Sequence, residues 1–256
     1  MNDIPPNVTA AGTNIVHQGT ANVTGREADP RPADRSPDAA TPTALGSDAS
    51  VGVAVVAHTS RQAMARRLFN TIAADRLTID DGTLGATRNH LQAWNCLHHN
   101  NTGLWSVVLE DDAAPVSGFR GQLAAALNAA PTPVVGLYLG RRHPEYIQSR
   151  VARAVLDAHT NDAHWITSTR LHHAVGVAIR TDLLADMLAS VDTHQPIDEA
   201  LSTWAVRRGH TIAYTHPSLV DHLDVEPVSQ DRRPRQRRRA WRVGRRQHWT
   251  DKAVTL

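Results

Sequence analysis

The chain has 256 residues, 41% apolar and only 4% aromatic, which is enough for one large domain or two small ones with an aliphatic core. The formal charge is +2, and Lys252 is the single lysine among 27 basic residues. The lone cysteine, Cys96, excludes an internal disulfide and a multi-cysteine zinc site, and the sequence lacks the run of about 18 apolar residues that predicts a membrane-spanning helix. We therefore expect a cytoplasmic protein without a secretory signal, in the host cytoplasm if it is viral.

Three regions are expected along the chain. Residues 1–48 are rich in Pro, Ala, Thr, Asp and Gly and have no apolar period. They predict a disordered segment, because such a composition cannot bury enough surface to offset the entropy of ordering. Residues 49–228 predict one domain. Residues 229–256 predict a basic C-terminal tail, because nine arginines lie between Arg232 and Arg246.

Strands and helices alternate within the predicted domain. Apolar runs predict strands at 51–57, 77–79, 105–109, 134–139, 175–179 and 211–214. Apolar residues at helical spacing predict helices at 64–72, 86–98, 119–127, 150–159, 184–188 and 196–207. Ser117 and Thr181 are candidate N-caps for two of these helices. The order predicts an α/β fold with a mostly parallel mixed sheet, in which ligands bind at the carboxyl ends of the strands.

Three adjacent carboxylates, Glu110, Asp111 and Asp112, follow directly after the predicted strand 105–109. Neighbouring negative charges repel one another, so the cluster is costly unless solvent or a cation offsets the charge. Mg²⁺ or Mn²⁺ takes oxygen ligands and can bridge such carboxylates to a diphosphate. The other interpretation is a solvated acidic turn, or carboxylates that face the dipole of the next helix.

Several short segments, taken in order, carry a family resemblance. They are Gly85, His90, Leu91 and Trp94 on one predicted helix, Leu109 to Ala113 with Pro115 and Phe119, the small-residue strand 174–179, and Pro196-Ile197-Asp198. This pattern resembles glycosyltransferase family 25, which contains lipooligosaccharide and collagen galactosyltransferases. Arg88 and Asn89 depart from the apolar residue and serine of the family pattern, which indicates a divergent member. The resemblance covers about Val51 to His222 and implies a GT-A type nucleotide-sugar-binding fold.

The resemblance implies metal-dependent transfer of a sugar from a nucleotide-sugar, such as a UDP-sugar, to a hydroxyl acceptor. Asp112 would hold the divalent metal, Mn²⁺ or Mg²⁺, while Glu110 and Asp111 contact the ribose or position the metal. His222, near the end of the domain, is the candidate second metal ligand, since a neutral imidazole can ligate a transition metal. The alternative for His222 is one surface histidine among 15.

Five further residues are candidates for donor binding or catalysis. Thr59 and Arg61 follow the first strand, where a nucleotide can sit, although they equally fit a helix cap. His90 either orients the sugar or simply packs along its helix. Asp198 and Glu199 begin a late helix, and Asp198 is the preferred general base for an inverting transfer. The alternative is that these acids only complement the helix dipole.

The arginine-rich tail leaves the acceptor and a rival function open. A glycan, a protein or DNA fits as the acceptor, and the arginines fit phosphate backbones or an anionic membrane surface. A solvated tail that at most closes over the donor diphosphate fits as well. The rival function is a nucleic-acid-binding protein on a degenerate transferase scaffold. A metal-dependent phosphoryl or nucleotidyl transferase would use similar carboxylates.

Overall fold

The apolar runs of the sequence become the strands of one large sheet. The computed structural model describes residues 50–226, 228 and 237–256. The predicted disordered segment 1–48 and residues 229–236 of the predicted basic tail, which hold three of its nine arginines, lie outside the described residues. Within the described part, no helix is both long enough and apolar enough to cross a membrane.

The described elements follow the predicted alternation of strands and helices. The strands are β1 Val51–His58, β2 Arg76–Asp80, β3 Trp105–Glu110, β4 Ala113–Pro115, β5 Val134–Gly136, β6 Gly140–Arg141, β7 Trp165–Ser168, β8 Gly176–Arg180, β9 Ile212–Thr215, β10 Val220–His222, β11 Arg239–Ala240 and β12 Ala253–Thr255. The helices are α1 Gln62–Thr71, α2 Ala86–Asn100, α3 Phe119–Asn128, α4 Gln148–Thr160, α5 Leu184–Ser190 and α6 Ile197–Arg207. Short 3-10 turns occupy Thr59–Arg61, Glu145–Ile147 and Thr181–Leu183.

The main sheet has eight strands in the order β12-β7-β9-β5-β8-β3-β1-β2. The pairs β1–β2, β1–β3, β5–β9 and β7–β12 are parallel. The pairs β3–β8, β5–β8 and β7–β9 are antiparallel. The fold is therefore α/β with a mixed sheet in which parallel pairs predominate slightly, as the sequence predicted. Two small antiparallel ladders, β4 with β10 and β6 with β11, lie beside the main sheet in the chain connections.

Helices cover both faces of the sheet, which explains why its strands are apolar throughout rather than alternating. Along β1, Val53 and Val55 face a core shared with α1 and α3, while Ala54 and Val56 face a core shared with α2 and α4 to α6. Trp94 of α2 is fully buried against the second face. Burial on both faces fixes the register of β1, because a slip by one residue would exchange the two sets of side chains.

Two predicted helix caps are wrong. Ser117 does not cap α3, because the residue before this helix is Gly118 in a left-handed conformation with φ of 67° and no side-chain cap bond. Thr181 does not cap α5 either, since a 3-10 turn intervenes between the two. Its hydroxyl instead lies 3.1 Å from the hydroxyl of Ser106. Both residues lie near a helix start, but the N-cap positions are occupied by Gly118 for α3 and by Leu183 for α5.

The described part of the predicted basic tail packs against the domain instead of extending from it. Residues 253–255 form β12, which adds a parallel edge strand to β7, and Trp165 Nε1 donates to the carbonyl of Thr250 at 2.7 Å. Trp249 packs against the buried core beside Trp165. Trp249, β12 and the guanidinium of Arg246, which donates to Asp162 at 2.8 Å, together attach this segment.

Candidate active site

Three parallel strands end at the same edge of the sheet and bring their terminal side chains together. His58 of β1 is paired in register with Asp80 of β2, and Val56 with Glu110 of β3. β8 enters from the same edge, because the backbone N–H of Glu110 donates to the carbonyl of Val175 at 3.0 Å. The strand ends open into a cleft of about 450 Å³, which we call the acidic cleft. Its lining includes Arg61, His90, Glu110, Asp111 and Asp112.

One guanidinium bridges two of the carboxylates. Arg61 Nη1 donates to Asp111 Oδ1 at 2.9 Å and to Asp112 Oδ2 at 2.8 Å, while its Nη2 donates to the carbonyl of Glu226 at 2.6 Å. The side chains of the two aspartates are each 8% exposed. Burial raises the pKa of Asp111 and of Asp112, although the Arg61 charge opposes this. A further positive charge would therefore be favourable here.

Asp112 and His222 form a pair with unused ligand atoms. The pairing of β10 with β4 places His222 opposite Ala113, so that His222 Nε2 lies 3.5 Å from Asp112 Oδ2. Asp112 Oδ1 and both ring nitrogens of His222 are buried and have no hydrogen-bond partner among the described residues. Buried polar atoms without a partner are costly, so water or a bound ion is expected to satisfy these three atoms. A carboxylate oxygen and an imidazole nitrogen together suit Mn²⁺.

The described residues contain no group of three or more His, Cys, Asp or Glu side chains arranged to enclose a metal ion. A cation that is bound to a diphosphate does not require a full set of protein ligands. Mg²⁺ in phosphate-transfer sites is held by one or two carboxylates together with substrate phosphates and water. The Asp112–His222 pair therefore fits an ion that is bound jointly with a ligand, and does not fit a permanent structural ion.

Glu110 pairs with His90 on the opposite wall of the cleft. His90 Nε2 lies 3.4 Å from Glu110 Oε1, and the His90 side chain is only 5% exposed. Burial opposes ionisation of Glu110, but the hydrogen bond and charge of His90 outweigh burial and hold the pKa of Glu110 below its usual value. Glu110 therefore stays ionised at neutral pH, and His90 contacts the acidic cluster directly rather than only packing along α2.

Asp80 shapes the rim of the cleft. Its Oδ1 accepts the backbone N–H groups of Gly82 and Leu84 at 3.0 Å each, and its Oδ2 accepts that of Gly85 at 2.9 Å. These bonds, that from Leu84 foremost, lower the pKa of Asp80. Gly82 and Gly85 have φ of 102° and 79°, a region that favours glycine, so the loop turns tightly and leaves the cleft open.

Arg238 brings a positive charge to the cleft from the C-terminal segment. It lines the cleft, and its charge helps to hold the pKa of Glu110 below its usual value and opposes the rise that burial causes in the pKa of Tyr138. Its position is set by β11, where Ala240 N donates to Asp221 Oδ1 at 2.8 Å and Arg239 Nη1 to Asp221 Oδ2 at 3.1 Å. The side chain of Arg238 is exposed, so its charge is accessible at the cleft.

The structure separates the predicted site residues into two groups. Arg61, the three acids and His90 line the acidic cleft, with His222 beneath Asp112. Thr59 is exposed in its 3-10 turn and does not line this cleft. Asp198 and Glu199 line a neighbouring cleft of about 590 Å³. Burial raises the pKa of Asp198, and the negative charge of Glu110 adds to the effect, so the two clefts are electrostatically connected.

Sequence reasoning missed four residues of the acidic cleft: His58, Asp80, Asn89 and Arg238. His58 and Asp80 end parallel strands, so the rule that locates Glu110 also applies to them. Asn89 lies one residue before His90 on α2, where its Nδ2 donates to the carbonyl of Ala57 at 2.9 Å. Nothing in the arginine run distinguishes Arg238 from its neighbours, because its role depends on a β11 pairing that is only two residues long.

Comparisons with known proteins leave the family open. The chain matches no protein-family model and no curated protein. Among solved structures it is similar to the crystal structure of A197 from STIV, with 11% identity and a TM-score of 0.42, over 77% of this chain and 98% of that chain. A likeness at this level carries no argument about function. Membership of glycosyltransferase family 25 therefore stays a prediction.

Proposed function

We propose that the protein is a metal-dependent glycosyltransferase of GT-A type, a divergent relative of family 25, that takes its sugar from a nucleotide-sugar. One observation carries the proposal. Asp112 and His222, from distant parts of the chain, meet at the carboxyl end of the central strands with buried ligand atoms that have no partner among the described residues. In a metal-dependent transferase, such a pair would share Mn²⁺ or Mg²⁺ with the diphosphate of the donor.

The chemistry follows from where charge develops. Cleavage of the bond between the sugar and the diphosphate leaves negative charge on the departing oxygen, and a bound divalent ion would neutralise it. Arg61 would keep Asp111 and Asp112 in place without occupying Asp112 Oδ1. Arg238, at the mouth of the cleft, would add a second positive charge beside the diphosphate. Glu110, ionised beside His90, is positioned to accept hydrogen bonds from hydroxyl groups of the donor.

An inverting transfer also needs a base for the acceptor hydroxyl. Asp198 has a pKa raised by burial, which makes it a better proton acceptor than an ordinary surface aspartate. It would take the proton from the acceptor oxygen as that oxygen forms its bond to the sugar carbon. Its place in the cleft next to the acidic cleft suits a group that acts on the acceptor rather than on the donor.

The test replaces Asp112 with Asn and measures both binding and turnover. We expect wild-type protein to melt at a higher temperature with Mn²⁺ and UDP together than with either alone, and to turn over at least one UDP- or GDP-sugar. Asp112→Asn should lose both effects. The matched control is Asp157→Asn, an exposed acid of α4, which should retain both.

Two results would overturn the proposal. One is a wild-type protein with no metal-dependent response to any UDP- or GDP-sugar. The other is an Asp112→Asn variant with unchanged turnover. Cleavage of a nucleoside triphosphate in place of a nucleotide-sugar would instead identify a phosphoryl or nucleotidyl transferase. Retained nucleic-acid binding without any turnover would identify the degenerate-scaffold alternative.

A further inference from the structure

A second concave surface lies next to the acidic cleft. Two depressions of about 590 and 560 Å³ lie side by side and share Tyr146, Thr169, Arg170 and His172 in their lining. We call this continuous surface the lateral groove. Asp198 lies in the first depression and Arg150 in the second. The volume of each depression falls within the range of small-ligand sites, about 300–1,000 Å³.

Two pairs of consecutive residues connect the groove to the acidic cleft. His172 lines the groove, while the next residue, His173, has its ring centroid 5.1 Å from that of Tyr138, which in turn lies 6.1 Å from the ring of His222. Pro144 likewise lines the groove, and the preceding His143 ring is 6.2 Å from His173. The rings of His173 and Tyr138 therefore lie between the groove and His222.

The groove carries cations and a bare aromatic ring. Arg170 and Arg207 are exposed and form no ion pair with any residue in the described part of the chain, whereas Arg150 donates to a main-chain oxygen of Leu256 at 3.0 Å. Tyr146 is 72% exposed, an unusual state for a large ring. His172 is 6% exposed, yet its Nε2 has no partner among the described residues. Unused donors and an open ring in one groove indicate a ligand surface.

We propose that the lateral groove binds an anionic oligosaccharide as the acceptor, with Tyr146 stacked on a sugar ring and Arg170 paired with a carboxylate of the sugar chain. This identification of an acceptor rests on the proposed glycosyltransferase function. Arginine matches a carboxylate with two parallel hydrogen bonds, and an aromatic ring covers the apolar face of a pyranose. The acceptor hydroxyl would then lie at the Asp198 end, next to the wall shared with the acidic cleft.

The charge balance favours an acidic glycan over a nucleic acid. Asp198 and Glu199 share the groove with the three arginines, so the surface is only weakly positive. A nucleic acid carries a phosphate at every nucleotide, and single-strand-binding grooves combine continuous positive charge with successive aromatic rings. Tyr146 is the only exposed aromatic ring in the lining of the groove as described, since the ring of His172 is buried. An oligosaccharide with one or two carboxylates needs fewer cations, and its charges can lie beside Arg150 and Arg170 in the second depression, whose lining contains neither acid.

The test measures direct binding by titration calorimetry without any donor. Trigalacturonic acid is compared with its methyl ester, and sialyllactose with lactose, so that each acid has a neutral match. At least one acid should bind about tenfold or more tightly than its neutral match, because a charge-assisted pair is lost in the latter. Tyr146→Ala and Arg170→Gln should each weaken that binding about tenfold, while Tyr146→Phe retains it. Arg153→Gln, an exposed arginine of α4 outside the groove, is the matched control.

Each result decides the proposal. The proposal is overturned if no acid binds, or if each acid binds no more tightly than its neutral match. It is also overturned if only the control variant loses binding, or if a thymidine oligonucleotide binds more tightly than the acids. Failure of the two proposals is distinguishable, since groove binding is measured without a donor. Acid binding without any turnover of nucleotide-sugars would refute the transferase alone. Sugar transfer whose KM for acceptor is unchanged by Tyr146→Ala and Arg170→Gln would refute the groove alone. The side chains of Tyr146 and Arg170 are exposed, so we expect the variants to keep the wild-type melting temperature, and this measurement verifies that each is folded.

Discussion

Replacing Arg61 with Ala distinguishes two roles for the acidic cluster: a structural ion pair balanced by Arg61, or a site that binds a cation. The substitution leaves two carboxylates, each 8% exposed, without the guanidinium that bridges them. Removing one partner of a buried ion pair costs about 3–5 kcal/mol, and the 15% exposure of Arg61 places this case near the lower end, at about 3 kcal/mol. For a domain of this size, that loss lowers the melting temperature by about 6–12 °C.

The assay is thermal denaturation with and without Mn²⁺. If Asp112 belongs to a cation site, Mn²⁺ should stabilise Arg61→Ala more than wild type, because the ion then replaces a missing charge. A cation at 100 times its dissociation constant contributes about 2.7 kcal/mol, which would restore most of the loss. Arg67→Ala, an exposed arginine of α1, is the control and should change little. A melting temperature for Arg61→Ala equal to that of the control would refute the reasoning.

Two further predictions concern the scaffold around the site. Asp80→Asn should lower the free energy of unfolding by about 1–3 kcal/mol at pH 7, as measured by urea denaturation. Because folding lowers the pKa of Asp80, its stabilising contribution is present above about pH 3.8 and is lost as the pH falls through the pKa of the folded state. Wild type and variant should therefore differ less in stability at pH 3. Gly140→Ala should cost about 1–3 kcal/mol, since the new Cβ would lie 2.6 Å from His173 Nε2. Gly121→Ala in α3, where no atom lies within 4 Å, should instead be neutral or stabilising by up to about 1 kcal/mol. Equal destabilisation by both glycine replacements, or a pH-independent effect of Asp80→Asn, would contradict these arguments.

The fold class was readable from the sequence because its central strands are buried on both faces. The run at Val51 is apolar at every position, which a two-sided sheet requires, and β1 was predicted to within one residue. β5 is shorter than predicted and ends at Gly136, although Leu137 is fully buried and its N–H still donates to the carbonyl of Gly176 at 2.9 Å. Apolar periodicity reports burial, whereas strand assignment requires pairing, so the two diverge at strand ends.

The short strand pairs could not be predicted from the sequence in the same way. β4, β10 and β11 have two or three residues each, too few for a period to appear. Yet β10 is what brings His222 to Asp112, so the part of the site that spans the chain depends on the elements with the weakest local signal. His222 was a candidate only through the family resemblance. A long-range pairing of this kind is a property of the tertiary structure.

The described arginines of the C-terminal segment bear on the choice between a transferase and a nucleic-acid-binding protein. Arg246 donates to Asp162 at 2.8 Å and to the carbonyls of His216 and Ala163, so its guanidinium is used within the fold. Arg239 is likewise bound to Asp221. A module that bound phosphate backbones would keep such side chains free and aligned on one face.

Asp221 links this segment to the site. The same Oδ1 that accepts the N–H of Ala240 also accepts the N–H of His222, at 2.9 Å. The segment that presents Arg238 and the strand that presents His222 are therefore held by one carboxylate. A tail evolved for an independent partner has no need of this coupling, whereas a donor site needs its cation ligand and its phosphate-facing arginine fixed relative to each other. The arrangement of Asp221 thus favours the arginine-rich segment as a wall of the acidic cleft.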